Sequence, residues 1–273
     1  MSIAAPAALP ALPAFWEYVA PSEWTAIDFV SDLHLSEDTP RTFEAWSAHL
    51  RETSADAVFL LGDIFEVWVG DDARHVGFEQ RCAEVLADAA SRRTIGFMAG
   101  NRDFLVGTEL LKACGVLSLA DPTVLVAFGE RLLLSHGDAL CLDDHDYQQF
   151  RAQVRDPLWQ RNFLALPLEM RRAQARDMRA RSEERKRITA PADWVDIDAA
   201  TAVRWMHEAG TPTLVHGHTH RPQREPLAPG QVREVLSDWD LDGGPGPARA
   251  EVLRLRRAGL SRIAPVGAAS ASA

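Results

Sequence analysis

Ala57-Val58-Phe59-Leu60-Leu61-Gly62-Asp63 is the stretch on which the fold turns. Five apolar residues run unbroken into a glycine and a carboxylate. A run of this length bounded by turn residues suits a strand buried on both faces, as in a parallel sheet covered by helices. The same grammar recurs on either side. Ala26–Val30 opens into Ser31-Asp32-Leu33-His34, and Thr94–Ala99 into Gly100-Asn101-Arg102-Asp103. Leu132–Leu134 opens into Ser135-His136-Gly137-Asp138, and Thr213–Val215 into His216-Gly217-His218-Thr219-His220. Helical patterns at 41–53, 78–92 and 104–113 separate the earlier runs, so the class is α/β. Ligands of such folds gather beyond the carboxyl ends of strands. Five strand ends here carry Asp, Asn or His.

Farther out, residues 145–187 break the alternation. They read as helical, interrupted at Leu166-Pro167, with apolar residues first and then Arg171, Arg172, Arg176, Arg179, Arg181, Arg185, Lys186 and Arg187. Lying between two strand-end motifs, the segment is expected to form an inserted helical cap over the strand ends. An amphipathic surface helix with a solvated basic face is the plainer alternative. A further helix is expected at 197–209, with late strands at Val232–Leu236 and Glu251–Leu255. Residues 1–24, rich in Ala and Pro at first, read as a loosely docked arm anchored by Phe15, Trp16 and Trp24. Residues 25–262 read as one domain and 263–273 as a flexible tail.

Composition narrows the classes. The 273 residues are 47% apolar and 25% charged, which excludes global disorder. A net charge of -10 argues against general nucleic-acid binding. No apolar window approaches the length of a membrane span. The prolines among residues 2–13 deny a signal peptide its apolar core. Cys82, Cys114 and Cys141 form neither a disulfide framework nor a zinc site. The expected location is the cytoplasm.

Each polar motif alone has an ordinary explanation: a capped turn for Asp32-x-His34, a turn dipeptide for Gly62-Asp63, a left-handed backbone for Asn101, a satisfied core imidazole for His136. Jointly these explanations fail. Two Asp, one Asn and four His converge on one edge of the sheet and oversupply a single tetrahedral ion. They suit two divalent ions sharing a carboxylate, with N/O ligands that favour Mn, Fe, Zn or Mg. Such a pair can activate water for in-line attack at phosphorus.

The ordered set Asp-x-His, Gly-Asp, Gly-Asn, His and Gly-His-x-His over about residues 26–238 resembles the calcineurin-like metallophosphoesterase superfamily. The resemblance implies a β-sandwich flanked by helices. It implies one metal held by Asp32, His34, Asp63 and His220, and a second held by Asp63, Asn101, His136 and His218, with Asp63 bridging. Three further stretches, Gly62 to Asp72, Gly100-Asn101-Arg102-Asp103-Phe104-Leu105 and Ser135 to Asp144, narrow it to the UDP-2,3-diacylglucosamine pyrophosphohydrolase family of lipid A biosynthesis.

That family resemblance implies hydrolysis to UMP and 2,3-diacylglucosamine 1-phosphate, with two ions, Mn²⁺ first among them, and peripheral contact with the cytoplasmic face of the inner membrane. No protein partner is expected. It implies catalytic roles for Asp63, Asn101, Arg102 and His136, and substrate contacts at Asn101, Arg102, Asp144, Ser182 and His218. Beyond Ser182 the chain departs from the family pattern with Glu183-Glu184-Arg185-Lys186-Arg187, where Lys186 is the expected next contact. Arg102 stands where many superfamily members carry histidine. A departing phosphate, with a second pKa near ~6, needs no added proton, so a guanidinium that grips phosphate oxygens is the more useful group. A salt bridge from Arg102 to Asp103 or another carboxylate is the structural alternative. Leu158, Trp159, Phe163, Leu164, Leu166, Leu168 and Met170 offer an acyl-binding surface or ordinary helix packing. Two other functions fit fewer residues: a phosphodiesterase or nucleotide pyrophosphatase for another substrate, and a non-catalytic metal-binding lipid carrier.

Overall fold

The computed structural model describes residues 11–188, 195–244 and 246–267, with side chains omitted over 181–188. Two six-stranded sheets face each other. The first has the order β12 (Gly259–Ile263), β11 (Val252–Arg256), β2 (Ala26–Val30), β3 (Ala57–Leu61), β4 (Thr94–Met98), β5 (Leu117–Leu119). The second has the order β1 (Trp16–Val19), β6 (Thr123–Ala127), β7 (Glu130–Ser135), β8 (Thr213–His216), β10 (Gln231–Val235), β9 (Gln223–Ala228). Strands β2 to β5 run parallel, as do β7, β8 and β10. The sandwich with flanking helices is the architecture expected from the sequence.

Burial on both faces explains the unbroken apolar runs. In β3, Ala57, Phe59 and Leu61 enter the layer between the sheets beside Phe29, Leu134 and Val215. Val58 and Leu60 point the other way, into a layer with Trp46, Leu50 and Leu86 from the helices α1 (Pro40–Glu52) and α2 (Gly77–Ala90). Helix α1 buries Thr42, Ala45, Trp46, His49 and Leu50, the spacing of a single helical face. Helix α3 (Thr108–Cys114) completes that layer. Helix α7 (Ala199–Ala209) covers the outer face of the second sheet through Ala202, Trp205 and Met206.

The segment expected to be a cap forms three helices, α4 (His145–Val154), α5 (Pro157–Leu164) and α6 (Leu168–Ile188). The break at Pro167 is joined by another at Asp156-Pro157, where Asp156 caps α5 and proline occupies its first turn. The insertion docks on the loops after β3 and β4. Arg155 Nη2 donates to Gly100 O at 2.8 Å, Trp159 packs on Phe104, and Arg171 Nη1 donates to Asp72 Oδ1 at 2.9 Å.

The start of the described chain differs from its reading; residues 1–10 of the expected arm and 268–273 of the expected tail lie outside the described residues. Trp16–Val19 is not an arm but a strand, paired in parallel with Thr123–Val126. Of the expected anchors, Phe15 meets the Trp205 ring edge-on and Trp24 is buried against Tyr18, whose ring also meets Phe59, whereas Trp16 is exposed. Gly259–Ile263, all but its last residue inside the expected domain, turns back as β12 against β11. Four of the strands absent from the sequence reading, β1, β5, β9 and β12, are the edges of the two sheets. Edge strands are half-buried and mixed in polarity, so they lack an apolar run. Strand β6 is apolar, but it ends at Phe128-Gly129 with no ligand residue after it.

Candidate metal centre

Every expected metal ligand follows a strand. Asp32 and His34 follow β2, Asp63 follows β3, Asn101 follows β4, His136 follows β7, and His218 and His220 follow β8. Six described non-glycine residues have a positive φ, and five of them are expected ligands: Asp32, His34, Asp63, His218 and His220. That conformation costs an L-residue roughly 1–2 kcal/mol. Here it turns each side chain from its strand toward a common point, and hydrogen bonds between the loops hold it. Asp32 N donates to Gly62 O and His34 N to Asp63 O, each at 3.0 Å, while His218 N donates to Asp32 Oδ2 at 3.0 Å. A Cβ on Gly100 would overlap Asp63 Oδ1, and one on Gly217 would overlap Asp32 Oδ2. Glycine at these two positions lets the loops close on the carboxylates.

The seven side chains meet as one connected group. Ligand atoms of Asp32, His34 and His220 lie within 4.8 Å of one another, as do those of Asp32, Asp63 and His136. His34 Nε2 is 3.3 Å from His220 Nε2. Asn101 Oδ1 lies 2.9 Å from His136 Nε2 and 2.8 Å from His218 Nδ1. In this geometry Asp32 belongs to both carboxylate–histidine triplets and Asp63 to one.

The electrostatics suit a cation. Asp32 and Asp63 are almost fully buried. Burial, and then the neighbouring Asp32 charge, push the Asp63 carboxyl up. Burial also works against Asp32, but the hydrogen bond and charge of His220 hold it well below the usual range. Burial alone would lower His136 and His220. The facing carboxylates outweigh it and raise both to about 9. His218, buried and beside His136, falls to about 3. Two buried carboxylates with imidazoles and an amide oxygen form an N/O donor set that fits divalent metal ions.

Around the centre, His220 Nδ1 faces Asp238 Oδ2 at 3.4 Å, and Asp238 in turn holds Arg249. Asp138 accepts from Tyr147 Oη and Arg151 Nε of α4, and the Tyr147 ring lies 5.8 Å from that of His218. Asp103 does not pair with Arg102. Its buried carboxylate accepts backbone N–H groups from Gly100 and Ile64 at 2.7 and 2.8 Å, tying the β3 and β4 loops together. Arg102 Nη1 lies 3.4 Å from Glu66 Oε1, so the carboxylate that meets the guanidinium is another than Asp103, as the structural alternative allowed. Asp144 caps α4 by accepting from Tyr147 N at 3.0 Å. Ser182 and Lys186 fall on α6 but outside the described side chains. Among the apolar cap residues, Trp159, Phe163, Leu166 and Leu168 pack on the core, while Leu158, Leu164 and Met170 are exposed.

Glu66 and Asp238 were passed over in the sequence. Leu236-Ser237-Asp238 follows a strand as the other motifs do, so Asp238 had a signal. Glu66 had none beyond its place in the long stretch after Gly62-Asp63.

Residues 25–222 match the calcineurin-like phosphoesterase family model. Among curated proteins, the UDP-2,3-diacylglucosamine hydrolase of Chromobacterium violaceum is 44% identical over 228 residues, covering 81% of this chain and 92% of that protein. The hydrolase of the same name from Aromatoleum aromaticum is 42% identical, covering 78% and 89%. That of Xanthomonas axonopodis pv. citri is 41% identical, covering 79% and 92%. With the ligand-bearing strand ends inside the matched region, the chain belongs to the calcineurin-like phosphoesterases and, among them, to the UDP-2,3-diacylglucosamine hydrolase family.

Proposed function

We propose that this chain hydrolyses the pyrophosphate bond of UDP-2,3-diacylglucosamine, giving UMP and 2,3-diacylglucosamine 1-phosphate for lipid A biosynthesis. The chain is a metal-dependent hydrolase, and its relatives carry the name of this activity. The observation that carries the reading is Arg102, whose guanidinium lies at the rim of the metal centre while its backbone N–H donates to Asp63 Oδ1 at 2.8 Å. One turn thus joins a carboxylate of the centre to a guanidinium whose fork suits phosphate oxygens.

Asp32, His34, Asp63, Asn101, His136, His218 and His220 would hold two divalent ions, with Mn²⁺ our first choice and Asp63 shared. Such ions supply Lewis acidity and a nucleophile at neutral pH. Arg102 grips the oxygens of the pyrophosphate, and Asn101 and His218 orient it against the ligand cluster. Asp144, Ser182 and Lys186 complete the contacts from the side of the cap. The leaving group is a phosphate monoester that departs without an added proton, which accounts for arginine where an acid stands elsewhere. The exposed Leu158, Leu164 and Met170 beside basic residues suit acyl chains and a peripheral, reversible contact with the cytoplasmic face of the inner membrane. No helix among the described residues is long and apolar enough to cross a membrane.

Purified protein incubated with UDP-2,3-diacylglucosamine and Mn²⁺ should release UMP. In ¹⁸O-labelled water the label should enter UMP, because attack falls on the phosphorus that bears the nucleoside. No UMP would overturn the substrate assignment, and label in the sugar-lipid phosphate would overturn the site of attack.

A further inference from the structure

The stretch from Phe65 to Asp72 is longer than metal binding requires, and its contacts show where the extra residues go. Phe65 forms a parallel bridge with Leu35, and Glu66 N donates to Leu35 O at 3.0 Å. This knits the loop after β3 to the loop after β2 and brings the Glu66 carboxylate beside His34. Glu66 Oε2 lies 3.4 Å from His34 Nδ1. Its Oε1 lies 3.4 Å from Arg102 Nη1 and forms an ion pair with Arg179 Nη1 of α6. The Glu66 side chain is 14% exposed. Three segments far apart in sequence therefore meet on one carboxylate: a strand end, the turn after β4 and the cap.

The two nitrogens of His34 have separate tasks. Nε2 turns inward, 3.3 Å from His220 Nε2, and Nδ1 turns outward to Glu66. A carboxylate on the outer nitrogen fixes the tautomer and orientation of the ring and raises its basicity. The same carboxylate spreads its charge over two guanidinium groups whose fork geometry suits phosphate oxygens.

We propose that Glu66 is a positioning residue that couples the cap to the metal centre, orienting His34 toward the metals while holding Arg102 and Arg179 ready for the substrate's phosphates. The proposal rests on the function argued above. Asp72 supplies a built-in control. It anchors the cap through Arg171, whose Nη1 also donates to Val69 O. None of the contacts described for Asp72 is with a ligand or with Arg102. A residue that merely tethers the cap would behave as Asp72 does. A positioning residue would also act on the metals.

Mn²⁺ affinity of the full-length protein, measured by titration calorimetry without substrate, separates the two. Glu66→Ala should weaken Mn²⁺ binding by ~10-fold or more, the usual effect of removing such a partner from a ligating histidine. Glu66→Gln keeps an oxygen for His34 but loses the charge that holds the arginines. It should retain most Mn²⁺ affinity and lose ~10-fold in kcat/KM for the acylated nucleotide, with a smaller loss for a small chromogenic phosphodiester. Asp72→Asn should leave Mn²⁺ affinity unchanged. Wild-type Mn²⁺ affinity in folded Glu66→Ala, or an equal loss of affinity in Asp72→Asn, would overturn the proposal. Failure of the substrate reading would show separately, as wild-type protein that binds Mn²⁺ and releases no UMP.

Discussion

Asp28 and Asp32 are four residues apart, both wholly buried, and they do opposite things. Asp28 lies within β2 and is saturated. Arg254, its cross-strand neighbour on β11, donates to both its oxygens at 2.6 and 2.7 Å, Thr53 Oγ1 donates at 2.7 Å, and His49 Nε2 lies 3.2 Å away. Asp32 lies past the end of the strand and meets no arginine among its described partners. It faces His220, Ser31 Oγ, the His218 N–H and a second buried carboxylate, Asp63. A buried carboxylate matched by a fixed guanidinium is closed and structural. One surrounded by imidazoles and another carboxylate leaves negative charge for a cation to neutralise.

The largest effect should come at the open end. Asp63→Ala removes a carboxylate from the cluster and should abolish hydrolysis, with metal content by elemental analysis falling alongside. Near-wild-type turnover with full metal content would remove Asp63 from the ligand set. The closed end should answer in stability. Arg254→Met strands the Asp28 charge and should cost about 3–5 kcal/mol in urea unfolding. Burial pushes Asp28 up, but Arg254, His49 and Thr53 outweigh it and hold its pKa at about 2. The stability this provides is therefore complete above the unfolded-state value of ~3.9 and is lost as pH falls through about 2. In Arg254→Met that acid-dependent loss should shrink.

A further difference concerns protons at the metal centre. Burial lowers His136 and His220, but the surrounding carboxylates outweigh it and raise both to about 9. Metal binding needs the neutral rings, so below that pH each ion must displace protons. Mn²⁺ affinity should rise from pH 6 toward 9, by at most about tenfold per unit for each proton released, and then level off. Calorimetry in buffers of different ionisation enthalpy would count those protons. An affinity that stays flat across this range would mean the carboxylates do not hold the imidazoles charged.

The cap and the rim also differ in how legible they were. The rim was readable because each expected ligand follows a strand whose apolar run is itself a local signal. The cap was readable as helix, including its break before Pro167, but not in its attachments. Arg171 to Asp72 and Arg179 to Glu66 join residues about a hundred positions apart, and nothing in the arginine-rich composition says which arginines are tied down. Arg102 illustrates the same limit: its sequence neighbour Asp103 is taken by backbone N–H groups, and its partner is Glu66.

The sequence by itself determined the class, the buried central strands and the identity of the converging polar groups. All three follow from short-range facts: burial on both faces demands unbroken apolar runs, and the chain must turn where each run ends. Only the tertiary structure decided that Trp16–Val19 is a sheet edge, that Tyr18 meets Phe59 while Trp16 is exposed, and that β9 and β12 close the other sides. The edges carry too little apolar surface to announce themselves, and their pairing is chosen by the neighbour that is available. Only the structure, too, separated Asp28 from Asp32. On paper both are aspartates in or near one strand, and what distinguishes them is whether β11 lays an arginine across them.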